Sequence, residues 1–422
     1  MSKYIGCKNG NVCVVSDGPI INDGLKIIKL TDELENKSAK ELFTDYTLKN
    51  GSLFKRKEVF IAKDMKIAFV SNWAMQCGIS TYAENLFPEI IKHIKDFKLF
   101  IEKNDLLTHY NLNDRSITCW ERGKLLTDLT DKIKQYDPDI ILINHEYGLF
   151  PNARYWLSFL TQISKYRTII ILHSVFHHLD KTICEAPIAE VIVHLDGAKK
   201  ILKDEKKISG DVYVIPHGCY KTTTDKKLWN LYKSEHTIIH QGFGFHYKGF
   251  HNSICVVKEL KKKYSDIFLT ILFSETEQNK TGHQLYYNEL IQLIDQLELR
   301  DNIAIIRGFQ SEEVIDSYLR TNNVALFPYI SDPKHEVFGA SGAARLAFSK
   351  GIAVVSSDIP HFSDLPTIKA DNIEDMACEI DKLFSNRKLM EEQISKQFAY
   401  ITDNSWENTA KKFISVFERT YG

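Results

Sequence analysis

At 422 residues the chain exceeds the roughly 100–200 residues that one ordinary core organises, so two main domains are the default expectation. Hydrophobic residues at 44% and charged residues at 26% describe a folded globular protein and exclude a disordered or fibrous one. Fifty-four Lys plus Arg against 55 Asp plus Glu leave a formal charge of -1, which removes any global pull toward nucleic acid or an anionic membrane.

The start, Met1-Ser-Lys-Tyr-Ile-Gly6, lacks the basic head and apolar run of a secretory signal, and no run of about eighteen apolar residues occurs, so no transmembrane segment and a cytoplasmic location are expected. Eight scattered cysteines, without a Cys-x-x-Cys pair, read as free thiols and not as a zinc site. Residues 1–64 form an irregular N-terminal extension: apolar runs such as Val12-Cys-Val-Val15 are broken by Asp-Gly turns, and Lys8-Asn-Gly-Asn11 between Cys7 and Cys13 predicts a hairpin. A packing appendage and a binding module both fit this segment.

From Met65 strands alternate with helices, the pattern of a mostly parallel sheet covered on both faces. Lys66-Ile-Ala-Phe-Val-Ser71 reads as a buried strand, followed by a loop ending in Gly78 and a helix whose Thr81 and Glu84 suit a capping box. Further strands are expected at 98–101, 139–144, 168–172, 191–194 and 212–215, completing a doubly wound first domain over 65–217. A polar linker spans 218–235, with Ile215-Pro-His217-Gly218 as a hinge turn at its start. A second doubly wound domain covers 236–395, with strands at 236–240, 267–273, 302–306, 324–327 and 353–357, and a helical segment, 396–422, packs back toward the first. Two such domains facing each other leave a cleft at the carboxyl ends of their strands, where open α/β sheets bind ligands.

The chemistry-bearing residues fall at those strand ends. After the strand 324–327 comes Glu336-Val-Phe338-Gly339-Ala340-Ser341-Gly342, a small-residue turn opening a helix, whose free amides favour an anion such as a diphosphate. Glu336 is a carboxylate able to accept sugar hydroxyls. Gly242-Phe243 through Lys248-Gly249 follows the first strand of the same domain and offers an ammonium to the same phosphates. In the first domain His145 and His173 each follow a buried strand and are expected to face the cleft. Asp137-Pro-Asp139, at a helix-to-strand junction, reads as structural and not as a metal site.

Together these segments resemble the retaining glycosyltransferases of the GT-B fold, specifically the large family 4. The resemblance runs in order through Cys77-Gly-Ile-Ser-Thr-Tyr82, Asn144-His145-Glu-Tyr147-Gly-Leu-Phe150, Leu172-His-Ser174, Ile215-Pro-His-Gly218, Gly242-Phe to Lys248-Gly249, Glu336-Val-Phe-Gly339 and Ser357 to Phe362. It implies two Rossmann-like domains and transfer of a hexosyl or N-acetylhexosaminyl group from a UDP- or GDP-sugar, with no metal or other cofactor. It further implies that Glu336 holds the donor sugar, Lys248 the diphosphate and His173 the reacting sugar. Gly78, His145, Tyr147, Gly242, Phe243, Phe338, Gly339, Ala340, Ser341 and Gly342 are the implied substrate contacts, with the acceptor near Gly78, Tyr147 and 174–185. Glycan, lipid-linked sugar, protein and modified nucleic acid all remain open as acceptors. Two positions depart from the family: Phe243 stands where an arginine is common, and Ala344 where a second glutamate holds the ribose. An inactive sugar-nucleotide-binding subunit, or an epimerase or phosphorylase of similar fold, is therefore an alternative.

Overall fold

The computed structural model describes residues 62–103, 114–178, 189–206, 208, 210–221, 236–276, 279–331 and 336–419, together with the backbone of five strands before them. Cys184, residues 222–235 of the linker, 179–188 and 332–335 lie outside the described residues.

Residues 1–64 and 415–422 form one compact unit and 65–414 another. In the first, the extension is more regular than its sequence suggests. Strands β1 (Tyr4–Lys8), β2 (Asn11–Ser16), β3 (Lys26–Lys29), β4 (Tyr46–Lys49) and β5 (Ser52–Lys55) make an antiparallel sheet of order β3-β1-β2-β4-β5. Lys8 stands opposite Asn11, the pairing expected of strands that flank Asn9-Gly10, two residues outside the described ones.

The larger unit contains two parallel sheets. The first has β6 (Lys66–Ser71), β7 (Asp96–Glu102), β8 (Ser116–Trp120), β9 (Ile140–His145), β10 (Arg167–Leu172), β12 (Ala189–Val193) and β13 (Val212–Val214), with the short β11 (Val175–Phe176) outside it. Its order, β13-β12-β10-β9-β6-β7-β8, reverses direction between β6 and β9. Every residue of β9 is buried, because helices cover both faces of a central parallel strand and leave no wet side. Helix α1 (Gly78–Ile91), α2 (Thr127–Tyr136), α3 (Ala153–Gln162) and the short α4 (Asp196–Lys200) supply that cover.

The second sheet has β14 (Thr237–Phe243), β15 (Phe268–Ser274), β16 (Ile303–Arg307), β17 (Val324–Phe327), β19 (Ala353–Ser357) and β20 (Ile368–Ala370), again with a two-residue strand, β18 (Val337–Phe338), outside it. The order β16-β15-β14-β17-β19-β20 reverses between β14 and β17. Helices α5 (Phe250–Lys261), α6 (Lys280–Gln296), α7 (Glu312–Thr321), α8 (Gly342–Ser349), α9 (Ile373–Ser385), α10 (Arg387–Asp403) and α11 (Trp406–Phe417) complete it. Both reversals are topological switch points, where the loops on either side part and open a crevice at the strand ends.

Contacts among the described residues join the halves at several places. Val175 and Phe176 of β11 pair antiparallel with Phe338 and Val337 of β18. Cys219 bridges to Ser405, and the Trp406 ring packs on Tyr82 and His217 at centroid distances of 5.2 and 5.1 Å. Asn85 donates to the Tyr220 hydroxyl (3.0 Å), which donates to Glu312 (2.7 Å).

Candidate active site

A cavity of about 850 Å³ lies where the two switch points face each other. The starts of two helices open onto it. Helix α1 begins at Gly78, three residues before the predicted Thr81 cap: the Cys77 thiol is the N-cap, and Glu84 instead accepts from Ser80 Oγ (2.6 Å) and Ala74 N (2.8 Å), pinning the preceding loop. Helix α8 begins at Gly342 with Ser341 as its N-cap, and Gly339, Ala340, Ser341 and Gly342 all line the cavity. A Cβ on Gly339 would lie 3.0 Å from the His173 carbonyl, so a side chain here would need the two loops to give by a few tenths of an ångström.

Lys248 lines the cavity from the second domain, with its Nζ 4.1 Å from the Tyr329 ring centroid and 4.9 Å from that of Tyr247. Gly249 makes that placement possible. Its φ is +71°, and a Cβ would come within 2.0 Å of the Pro328 carbonyl oxygen. The other two lysines and arginines of the lining are engaged: Arg122 forks onto Glu102, and Arg345 pairs with Asp364. Among the described lining residues, Lys248 is thus the cation with no carboxylate partner within 4.0 Å.

His173 reaches the cavity at 9% exposure. Asn144 Nδ2 donates to Ser71 Oγ (3.1 Å) and to the Ile79 carbonyl (3.0 Å), which turns Asn144 Oδ1 toward His173 Nε2 at 2.5 Å. An acceptor on Nε2 assigns the proton there and leaves Nδ1 as the accepting nitrogen. Burial, then the neighbouring imidazoles of His194 and His217, hold the pKa of His173 well below the ordinary histidine value, so the ring is neutral at pH 7.

Gly242 and Phe243 also line the cavity, and Phe243 belongs to an aromatic wall with Phe309 (6.3 Å) and Phe245 (6.4 Å). Phe309 is 40% exposed, large for a phenylalanine with a cavity beside it. The sequence reading missed Phe309, Gln310 and Glu312, all lining residues at the end of β16 and the start of α7. Their signal was available as a polar and aromatic loop directly after a strand.

Four expected contacts fall elsewhere. His145 is 1% exposed and packs among Tyr147, Phe150 and Trp156, with burial pushing its pKa down to about 3. It is the last residue of β9, where alternation sends its side chain into the helix layer and the next residue, Glu146, to the cavity. Tyr147 turns the same way, onto Phe176. The Phe338 ring packs beside His177 (5.9 Å) and over Gly197, as the β11–β18 pairing requires. That pairing also carries Glu336 outside the cavity lining, to a half-buried position 3.8 Å from His177 Nε2.

Ala344 stands where the resemblance places a second glutamate. The residue is fully buried in the core with Phe348, one turn on. Gly342, Ala343, Arg345 and Leu346 are the residues of α8 that line the cavity. Arg345 turns inward, 1% exposed, donating to the His217 carbonyl (3.1 Å), the Ser341 carbonyl (3.0 Å) and Tyr400 (3.1 Å), and thereby ties the crossing between domains to α8 and α10.

With this geometry in place, residues 221–400 match the family model described as glycosyl transferases group 1. The second half of the chain is thus similar to group 1 glycosyl transferases. No curated protein matches the chain in sequence. Solved structures match over most of its length. A glycosyltransferase from Rickettsia africae has a TM-score of 0.67 at 15% identity, covering 84% of this chain and 98% of that one. HepE from Anabaena, solved in complex with UDP, has a TM-score of 0.66 at 13% identity, covering 84% and 99%. A sucrose-phosphate synthase from Thermosynechococcus elongatus has a TM-score of 0.63 at 16% identity, covering 83% and 98%. The resemblance drawn from the sequence is therefore matched by the family model over residues 221–400 and by the GT-B fold over most of the chain. No helix among its described residues is long and apolar enough to cross a membrane.

Proposed function

We propose that this glycosyltransferase moves a hexosyl or N-acetylhexosaminyl group from a UDP- or GDP-sugar to an acceptor hydroxyl, with retention of the anomeric configuration. The observation that carries the proposal is Lys248: an ammonium without a carboxylate partner, facing the same cavity as the amides at the starts of α1 and α8. Such a site binds a dianionic diphosphate and stabilises it further as the sugar departs, because charge on the leaving oxygen grows in the transition state. Neutral His173, accepting through Nδ1, suits a sugar hydroxyl. The wall of Phe243 and Phe309 suits a nucleobase face, and Glu312 at the start of α7 is the carboxylate nearest in sequence for ribose hydroxyls. HepE is named with UDP, which supports UDP as the first nucleotide to try.

Glu336 enters on different terms. To reach a sugar hydroxyl it must leave His177, and a partly exposed pair at 3.8 Å offers little resistance. The reading therefore places Lys248 above Glu336 in its effect on turnover.

A panel of UDP-glucose, UDP-N-acetylglucosamine and GDP-mannose, scored by nucleoside diphosphate release and by the anomeric proton coupling of the product, tests the proposal. At least one donor should turn over with retention. Nucleotide binding without turnover of any donor would support the second reading, a binding subunit, which is favoured by the single unpaired cation of the lining. Absence of nucleotide binding would refute both.

A further inference from the structure

The first domain presents to the cavity a carboxylate, within the 144–150 segment, to which neither the resemblance nor the donor site gives a role. Glu146 follows directly on β9, beside the switch point, and lines the cavity with Gly148 and Gly78. Ser174 Oγ donates to its Oε2 at 2.8 Å and the Tyr147 amide to its Oε1 at 3.0 Å. Two fixed donors orient the group, and each oxygen keeps a second lone pair for a further hydrogen bond. Ser174 also fixes where the carboxylate lies relative to the donor loop: its Oγ is 3.7 Å from the position of a Cβ on Gly339. Glu146 therefore stands within one serine of the loop that opens α8, on the opposite domain, where the sugar carbon and an incoming hydroxyl would have to meet.

We propose that Glu146 is a catalytic residue that receives the attacking hydroxyl of a neutral, polyhydroxylated acceptor and takes its proton. This rests on the glycosyl-transfer reading given above. In the step, the bond from the sugar C1 to the diphosphate oxygen breaks and its electron pair leaves with the diphosphate beside Lys248. The acceptor oxygen bonds to C1, and its proton passes to Glu146, which later releases it to solvent. Burial raises the Glu146 pKa above the usual carboxylate value, opposed by the hydrogen bonds from Ser174 and Tyr147, and a more basic carboxylate removes a hydroxyl proton better. The titratable and charged groups that line the same space are Cys77 before α1, Tyr82 of α1, Arg122 after β8, neutral His173 after β10, His217 and Tyr220 of the crossing, and Tyr247, Lys248, Glu312, Arg345 and His361 of the second domain. Arg122 is held by Glu102, which makes the acceptor side of the cavity unsuited to a phosphate and suited to uncharged hydroxyls.

The experiment compares the full-length wild type with Glu146→Gln and Ser174→Ala. UDP binding is followed by calorimetry, and UDP release from UDP-glucose is followed with water, glycerol, maltose and p-nitrophenyl glucoside as hydroxyl probes. Glu146→Gln should bind UDP within about two-fold of wild type and lose about 100-fold or more in kcat for the best probe, the usual worth of a positioned base. The acidic limb of the wild-type pH profile should vanish in this variant. Ser174→Ala, which loosens the carboxylate without removing it, should lose less and shift the limb to another pH, and it carries the test if Glu146→Gln does not fold. A Glu146→Gln enzyme within three-fold of wild type, or one that keeps the acidic limb, overturns the assignment while leaving the donor reading intact. A wild type that binds UDP but releases none with any probe also overturns it. Failure of wild type to bind UDP or GDP defeats the transfer reading, and this assignment with it.

Discussion

The two domains share one scaffold and furnish one cavity, yet they furnish it with opposite chemistry. Each is a parallel sheet whose order reverses once, and each sends the start of a helix to the same space. The first contributes a neutral imidazole, His173, a carboxylate, Glu146, and an arginine already spent on Glu102. The second contributes an unpaired ammonium, Lys248, and an aromatic wall of Phe243 and Phe309. A shared sheet order thus says where ligands bind, while the loops decide which end of a reaction each half serves.

The largest effect that would test this division is at Lys248. Lys248→Ala should lower kcat/KM for the donor by about 10²–10³, as removal of one charge-stabilising donor commonly does, and Glu336→Ala should cost less. Parallel UDP-release assays check both, and the opposite ranking would move the donor centre to the β11–β18 junction. Next comes Phe309→Ala. Loss of a stacked base is worth about 1–3 kcal/mol, so UDP affinity by calorimetry should fall about ten-fold or more while inorganic pyrophosphate binds as before. Equal losses for the two ligands would take the base away from this wall.

Acid lability is the property in which the halves agree. Burial holds His145 and His361 down to about 3, and His194 and His251 to about 4, from an ordinary value of 6.5. Below pH 6.5 the unfolded chain binds protons at these rings and the folded chain does not. Their contribution to stability is therefore complete above 6.5 and lost as pH falls toward the folded values, by at most about 1.4 kcal/mol per pH unit for each ring. Thermal melts from pH 7 to 5 should show a steep decline, and His145→Phe, which keeps the ring among Phe150 and Trp156, should flatten it by up to one proton. The smallest effect is at the seam. Tyr220→Phe removes the hydroxyl between Asn85 and Glu312 and should cost about 1 kcal/mol in a denaturant titration.

Strand-helix alternation, the reversal of sheet order it permits, and the small-residue turn before α8 were legible because they depend on local periodicity and backbone chemistry. Lys248, His173, Gly78 and the Gly339–Gly342 turn meet in one cavity as their strand-end positions suggested. Side-chain direction at the ends of strands was less legible. His145 and Glu146 differ by one residue, and the pleat sends one to the core and the other to the cavity. Likewise the start of α8, set by the Ser341 cap, rotates Ala344 inward and leaves Leu346 outside.

The sequence by itself therefore determined two doubly wound domains of the GT-B kind and a small-residue helix start facing their cleft, because repeating patterns and glycine turns act over a few residues. Only the tertiary structure decided that Glu336 lies beside His177, that Arg345 is spent inside the fold, and that Lys248 alone among the described lining cations lacks a carboxylate partner. Each of these depends on a partner far away in the chain: the pairing of β11 with β18, Asp364 beneath α8, and Glu102 beside Arg122. Whether a charge is free or neutralised is set by what the fold brings within a few ångströms of it, and local sequence carries no record of that.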